Sequence, residues 1–215
     1  MTVEDWKNCN IDLLYGNIED LSNNKHGLMD TKTHKIIIPV KYDKPICFFE
    51  GIAIAKLNGK YGLIDENENI VLKFQYEEIN ATYDDDLYIV KLNGKYGMYH
   101  LTKKIVLPIK YDYIKGFPYL ICIGLNNKYG FLDYTLQEVI PFIYNYIDED
   151  YDPNNKLLCV GQGNKLGFID EISGMVVIPI KYDKIIENEN NYITVEKNGE
   201  IINYERNNNK WFLSV

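Results

Sequence analysis

One arginine, three histidines and three serines are all that this chain of 215 residues contains of the side chains from which most catalytic and nucleic-acid-binding sites are built. A single arginine, Arg206, leaves almost nothing for bidentate contacts to phosphates and guanine edges. The net charge of −8 also sets the surface potential against a polyanion, so nucleic acid is not an expected partner. None of Ser22, Ser173 and Ser214 lies in a G-x-S-x-G nucleophile elbow, and neither a P-loop nor a G-x-G-x-x-G fingerprint is present. Cys9, Cys47, Cys122 and Cys159 form no C-x-x-C pair, which removes the usual spacing of a zinc site. They read as four reduced thiols of a cytoplasmic protein. Apolar runs are strand-length, as at Ile36-Ile37-Ile38 and residues 119–123, so no membrane-spanning helix is expected. The first residues, Met1-Thr2-Val3-Glu4-Asp5-Trp6, lack the basic and apolar regions of a signal peptide. Leaderless export stays open.

What the chain does have is repetition. The pattern Lys-aromatic-Gly-apolar-x-Asp occurs as Lys25-His26-Gly27-Leu28-Met29-Asp30 and Lys60-Tyr61-Gly62-Leu63-Ile64-Asp65. It recurs as Lys95-Tyr96-Gly97-Met98-Tyr99-His100, Lys128-Tyr129-Gly130-Phe131-Leu132-Asp133 and Lys165-Leu166-Gly167-Phe168-Ile169-Asp170. The anchor glycines Gly27, Gly62, Gly97, Gly130 and Gly167 are 35, 35, 33 and 37 residues apart. A sixth, eroded copy falls near Ile202, where Asn198-Gly199 survives. A second motif follows each anchor: Pro39-Val40-Lys41-Tyr42-Asp43, Pro108-Ile109-Lys110-Tyr111-Asp112 and Pro179-Ile180-Lys181-Tyr182-Asp183, with weaker versions around Tyr76 and Tyr144. A period in this range marks stacked supersecondary units.

Each unit reads as a three-stranded antiparallel meander. A β-rich run such as Ile52-Ala53-Ile54-Ala55-Lys56-Leu57 ends at Asn58-Gly59, and the same dipeptide recurs at 93–94 and 198–199. Asn-Gly between β-runs is a hairpin signal, because both residues tolerate positive φ. The anchor forms the second strand, and a polar turn leads to a third such as Ile70-Val71-Leu72. Proline after that run has no N–H for a ladder and belongs at a strand end or edge. Glycine weakens a strand interior, so the anchor glycines need a packing reason. The expected one is a ring, one of the repeat tyrosines, lying flat over the missing side chain. Neighbouring apolar residues such as Ile121, Cys122 and Ile123 indicate a strand covered on both faces. Units of this kind lean on one another.

The segment Asn58-Gly59-Lys60-Tyr61-Gly62-Leu63-Ile64-Asp65, with the Pro-x-Lys-Tyr-Asp element that follows the anchors, resembles the bacterial WG-repeat family, also called KWG repeats. The resemblance covers roughly residues 15–205. One departure is systematic: His26, Tyr61, Tyr96, Tyr129 and Leu166 stand where the family has Trp. The resemblance implies an all-β scaffold of tandem repeats, five clear and one degenerate, arranged as an open superhelical array or a propeller-like toroid. Residues 1–14 would form an N-terminal cap, 15–205 the repeat domain and 206–215 a C-terminal cap or closing strand.

Function in repeat arrays concentrates where copies differ. Three connections do: Tyr83-Asp84-Asp85-Asp86, read as joining the second and third units; Gly116-Phe117-Pro118-Tyr119, read as exposed aromatic area; and the acidic stretch containing Asp148, Asp150, Tyr151 and Asp152. The last alternates oxygen ligands as a calcium loop does, but Pro153 replaces the turn glycine and Cys159 the closing glutamate. No metal or cofactor is therefore expected. Tyr42, Tyr76, Tyr111, Tyr144 and Tyr182 read as structural repeat residues, and the carboxylates Asp30, Asp65, Asp133 and Asp170 as turn residues. The Tyr-Asp pairs read equally as an internal network or a polar binding strip. His26 replaces an aromatic and His100 an aspartate of the repeat. The expectation is a non-enzymatic module that binds a protein through its inter-repeat loops, a basic partner being the one its acidic surface suits. Binding of a small molecule or glycan is the alternative.

Overall fold

The computed structural model describes residues 15–148, 156–189, 191–207 and 210–214. Among these every regular element is a strand, and the strands form six separate antiparallel sheets. The chain divides into two compact units, Met1–Tyr111 and Asp112–Val215.

In the first unit, sheet one holds β1 (Tyr15–Asp20), β2 (Lys25–Asp30) and β3 (Ile36–Tyr42). Sheet two holds β4 (Phe48–Phe49), β5 (Ile52–Leu57), β6 (Lys60–Asp65) and β7 (Ile70–Tyr76). Sheet three holds β8 (Glu78–Ala81), β9 (Leu87–Leu92), β10 (Lys95–His100) and β11 (Lys104–Tyr111). In the second unit, β12 (Tyr113–Gly116), β13 (Ile121–Leu125), β14 (Lys128–Leu132) and β15 (Glu138–Tyr144) form sheet four. Sheet five is β16 (Tyr146–Ile147), β17 (Leu157–Gln162), β18 (Lys165–Asp170) and β19 (Val176–Tyr182). Sheet six is β20 (Lys184–Glu189), β21 (Tyr192–Lys197), β22 (Glu200–Asn207) and β23 (Lys210–Ser214). Strands pair in chain order within every sheet, so each is a simple meander.

The anticipated meander is present, with one strand more than expected. After each repeat tyrosine the chain enters the next sheet as an outer strand, almost at once in β8, β12, β16 and β20 and only from Phe48 in β4. β23 adds a fourth strand to the last sheet through the pairing of Arg206 with Trp211 and Asn203 with Ser214. The expected N-terminal cap, 1–14, lies outside the described residues.

The hairpin joining the two inner strands follows local chemistry. Asn58 and Gly59 have φ of 51° and 80°, and Asn93 and Gly94 have 52° and 74°. Two consecutive left-handed residues make the turn whose twist matches the flanking strands.

The third strand departs from ideal pairing in the same way five times. In sheet one Leu28 faces Ile38 and His26 faces Tyr42, so two residues on β2 span four on β3. The same offset separates Phe168–Ile178 from Leu166–Tyr182 in sheet five. In four of the five sheets the excess contains a proline (Pro39, Pro108, Pro141 or Pro179, with Lys73 in sheet two), which sits inside an edge strand, at a bulge that needs no donor there. The arch passes directly over the anchor glycine. A Cβ on Gly27 would lie 2.6 Å from Ile38 O and 2.9 Å from Val40 N; one on Gly167 would lie 2.6 Å from Ile178 O. The packing reason is therefore mainly backbone of the neighbouring strand, and the expected tyrosine ring is not what covers Gly27, Gly130 or Gly167. Phe74 adds a ring over Gly62.

The cores lie between sheets. Leu28, Ile38 and Tyr42 of sheet one pack with Ala53, Ala55 and Ile64 of sheet two. Leu63, Leu72 and Tyr76 pack with Tyr88, Val90 and Tyr99 of sheet three. In the second unit Cys122, Phe131 and Tyr144 meet Leu158, Val160 and Ile169, and Cys159, Phe168 and Tyr182 meet Ile193, Val195 and Tyr204. Of the repeat tyrosines, Tyr42, Tyr76, Tyr144 and Tyr182 are buried and Tyr111 is half-buried. Cys122 and Cys159 are free, buried thiols that fill the place of Ile54 and Ile89. Burial and the charge of Asp148 push Cys159 up to about 12. Cys47 is disulfide-bonded, which corrects the expectation of four reduced thiols.

Sheet one holds its own control for the glycine argument. A Cβ on Gly16 would meet only Thr31 Cγ2, at 3.3 Å. Gly27→Ala is expected to lower unfolding stability by about 1–3 kcal/mol through overpacking against rigid backbone, and Gly16→Ala by much less. Equal denaturation midpoints for the two variants contradict this account.

Candidate functional site

Each four-stranded sheet has two ends built on different principles. At one end lie the inner hairpin and the entry of the chain from the preceding sheet. The residue after each repeat tyrosine donates its N–H across the sheet, as in Asp43 N to Lys56 O at 2.7 Å and Asp183 N to Glu196 O at 2.8 Å. Its side chain then closes the hairpin. Asp43 Oδ2 accepts from Gly59 N at 2.6 Å, and Glu77 accepts from Asn93 N and Gly94 N at 2.9 and 3.0 Å. Asp112 accepts from Asn126 N at 2.9 Å, and Asp183 from Asn198 N at 2.8 Å. In sheet five an amide does the work: Asn145 Oδ1 accepts from Gly163 N and its Nδ2 donates to Gly163 O. The anchor lysines Lys25 and Lys165 pair with Asp43 and Asp183. These residues form a network of hydrogen bonds and ion pairs within the sheets.

At the other end lie the turn after the anchor strand and the loop between outer and inner strands. The turn is fixed by the repeat aspartate. Asp30 Oδ1 accepts from Lys32 N and Thr33 N, Asp65 from Asn67 N and Asn69 N, and Asp133 from Thr135 N and Gln137 N. Asp170 accepts from Ile172 N and Ser173 N. In sheet three His100 takes the same part, with Nδ1 accepting from Thr102 N at 3.2 Å. The loop is tied to this turn by Leu101 N to Asp86 O at 2.9 Å in sheet three. In sheet four the tie is Tyr134 Oη to Phe117 O at 2.8 Å.

The loop residues anticipated as a partner surface fall into distinct places. The stretch 82–86 is a hairpin within sheet three, between β8 and β9, and not a joint between units. Buried Thr82 and half-buried Asp84 shape it: Thr82 Oγ1 bonds Leu87 O at 2.9 Å, and Asp84 Oδ1 accepts from Asp86 N at 3.0 Å. Tyr83, Asp85 and Asp86 face solvent. Burial, with the charges of Asp86 and Asp85 added, pushes Tyr88 beneath them up to about 12. Phe117 is only 2% exposed and belongs to the core of sheet four, whereas Tyr119 is 47% exposed. The expectation of two exposed aromatics is corrected to one, because the short loop turns Phe117 inward over Leu120 and Phe131. Asp148 is half-buried and donates its N–H to Cys159 O. Asp150, Tyr151 and Asp152 lie outside the described residues. Among the described residues no group of three or more His, Cys, Asp or Glu side chains is placed to hold a metal ion.

A feature that motif reading missed lies on sheet two. Lys44, Pro45, Cys47, Ile54, Lys56, Tyr61, Ile79, Asn80 and Ala81 line a cleft of about 200 Å³. The signal was available as a departure in register: the residue after the hairpin-closing position is Lys44 here, Glu78 in sheet three and Tyr113 in sheet four.

Five carboxyls of these networks, Asp30, Asp43, Asp65, Asp133 and Asp183, are held below their ordinary value of 3.8. Asp43 and Asp183 owe this first to Lys25 and Lys165 and then to the turn N–H groups. Asp65 and Asp133 owe it to Asn69 and Thr135, and Asp30 to Thr33 N–H. A carboxyl whose folded pKa lies below its unfolded one contributes stability in full above the unfolded value, and loses it as pH falls through the folded one. Denaturation midpoints are therefore expected to fall as pH drops below about 4. The Asp43→Asn, Asp183→Asn double variant should lose less over that window, since Asn145 shows that an amide closes the hairpin. Identical acid profiles for variant and parent contradict the assignment.

Against known proteins, the family model described as WG containing repeat matches residues 27–61, 61–96, 96–128, 129–165 and 167–200. A search of curated proteins gave no match. Among solved structures, the dihydro-heme d1 dehydrogenase NirN in complex with DHE is similar at TM-score 0.45 and 12% identity, over 94% of this chain and 53% of that one. A eukaryotic initiation factor gives 0.47 and 12%, over 94% and 64%. Kluyveromyces lactis Hsv2 gives 0.43 and 9%, over 94% and 82%. This chain thus spans about half to two thirds of the length of the first two.

Proposed function

The chain belongs to the WG containing repeat family, and from that premise we propose that it is a non-enzymatic interaction module whose variable loops contact a protein with a basic face. One observation carries this reading: from copy to copy, one end of the sheets keeps the same closure while the loops at the other end differ. The hairpin end is closed by the same carboxylate or amide in five sheets. The opposite end varies from the two-residue turn at Glu50-Gly51 to the acidic loop at 82–86 and the aromatic one at 117–120. Varied side chains on a repeated, hydrogen-bonded frame are the usual arrangement of a recognition surface. Tyr83 and Tyr119 supply amphipathic rings of the kind enriched in interfaces, and Asp85 and Asp86 supply charge that steers a basic partner. The small-molecule alternative rests on a separate observation, the cleft beside Tyr61.

A partner bound in this way is retained by immobilised chain at low salt and released as ionic strength rises through about 0.15 M, where screening shortens to about 8 Å. Asp85→Lys with Asp86→Lys abolishes retention without changing the circular dichroism spectrum, and Tyr83→Ala weakens it. Retention that survives the charge reversal, or that is lost only on changing the hairpin end, overturns the proposal.

A further inference from the structure

Three side-chain positions meet at the same place in successive sheets: the residue after the hairpin-closing one, the inner-strand residue six places before the anchor glycine position, and the anchor-aromatic position facing it. In sheet three these are Glu78, Lys91 and Tyr96, and Glu78 neutralises Lys91 at 3.8 Å. In sheet four they are Tyr113, Gly124 and Tyr129, where the two rings meet edge to face at 5.6 Å and fill the space above the glycine. Sheet five has Tyr146, Gly161 and Leu166, an apolar set; sheet six has Lys184, Glu196 and Ile201, of opposite charge.

Sheet two is the exception. Its set is Lys44, Lys56 and Tyr61, two cations and a ring. The ammonium groups of Lys44 and Lys56 lie 5.7 and 5.0 Å from the centre of the same phenol ring. Neither lysine has a carboxylate within ion-pair distance among the described residues. The adjacent acid, Asp43, is already held by Lys25 and Gly59 N. Lys56 acts on that carboxylate as well, behind Lys25 and Gly59 N, so the two cations share only part of one negative charge, and side by side they repel each other. The outer strand also differs here. β4 does not begin until Phe48, so residues 44–47 do not pair along β5 as Glu78 pairs with Lys91, and a cleft opens over Ile54. Its walls are Pro45, Ile54, Ile79 and Ala81. A cavity of about 150 Å³ suffices for one benzene ring, and this one is about 200 Å³.

We propose that this cleft binds a small aromatic carboxylate, its ring against Ile54, Ile79 and Ala81 and its carboxylate between Lys44 and Lys56. The anion supplies the negative charge that Glu78 supplies in sheet three, and the ring supplies the aromatic surface that Tyr113 supplies in sheet four. The site is independent of the loop interface, so failure of either proposal leaves the other standing.

Benzoate, benzyl alcohol and benzylamine, titrated into the full chain with amide chemical shifts as readout, test it. Benzoate is expected to give saturable shifts at Ile54, Tyr61 and Ala81, and to bind about tenfold or more tightly than the neutral alcohol, since hydrogen bonds to a charged group are roughly twice as strong as neutral ones. Lys44→Glu, an exposed position given its sheet-three charge, should cost benzoate about tenfold or more. Lys56→Met, which keeps the stem and removes the charge, should do the same. Lys110→Glu, at an exposed lysine of sheet three, should leave affinity unchanged. Absence of saturation, equal binding of the alcohol or the amine, or an equal loss in Lys110→Glu overturns the assignment.

Discussion

A β-strand apolar on both faces has to be covered twice, and β9, β13 and β17 are such strands, each with at least four consecutive buried residues. A four-stranded sheet cannot provide that cover from its own residues. In both units the cover comes from the neighbouring sheet: Leu63 and Leu72 of sheet two pack with Tyr88 and Val90 of sheet three in the first, and in the second Leu158 and Val160 of sheet five close over Cys122 of sheet four, and Ile193 and Val195 of sheet six over Cys159 of sheet five. Burying one such side chain contributes roughly 1.5–3 kcal/mol. The interfaces between sheets therefore hold most of the apolar stabilisation, and an isolated repeat has no complete core.

Stacking of this kind needs a fixed phase between successive sheets, and two features set it. The bulged third strand arches over the anchor glycine, which brings the repeat tyrosine opposite the anchor aromatic two residues later than ideal pairing would. The next residue then crosses to the following sheet and closes its hairpin through both its backbone and its side chain. Tyr42 extends the same logic, since its hydroxyl donates to Glu68 in the following sheet at 2.9 Å while Lys41 pairs with that carboxylate at 2.6 Å. Register within a sheet and placement of the next one are thus determined by adjacent residues, which is why glycine, proline, tyrosine and aspartate recur together.

The inner strands and their turns were legible because their signals are local. Asn-Gly at positive φ and aspartate accepting the N–H groups that follow it both act within a few residues. The outer strand was not legible: two to six residues, such as Glu78–Ala81, charged at one end and followed by Thr-Tyr-Asp, carry no periodicity to distinguish strand from loop. The reason for the anchor glycine was misread for a related cause. The recurrence of tyrosine beside it suggested a ring, whereas the contact is with a carbonyl of a bulge that no residue type announces. Phe117 was read as exposed from its Gly-Phe-Pro-Tyr setting, but its ring packs with Leu120 and Phe131 while Tyr134 reaches its carbonyl from another turn. Long-range hydrogen bonds of this sort do not show in sequence spacing.

A repeated frame also changes what counts as a signal. In a single-copy protein, two lysines near a tyrosine would be unremarkable, because exposed lysines commonly lie over rings, as Lys110 does over Tyr111 at 5.3 Å. Here the same three backbone positions are sampled in five sheets, and four of the five sets are internally neutral, apolar or filled with rings. The cost of leaving two cations together is the same electrostatic cost in each sheet, so its acceptance in one requires a compensation the others do not. Lys44 also sits on the one outer connection that skips its ladder, where the backbone gives up the pairing that Glu78 keeps. Charge and backbone depart from the repeat at one place and in one direction, towards an opening with a positive rim. An isolated substitution would fit neutral drift at the surface; a paired departure of this kind fits a site.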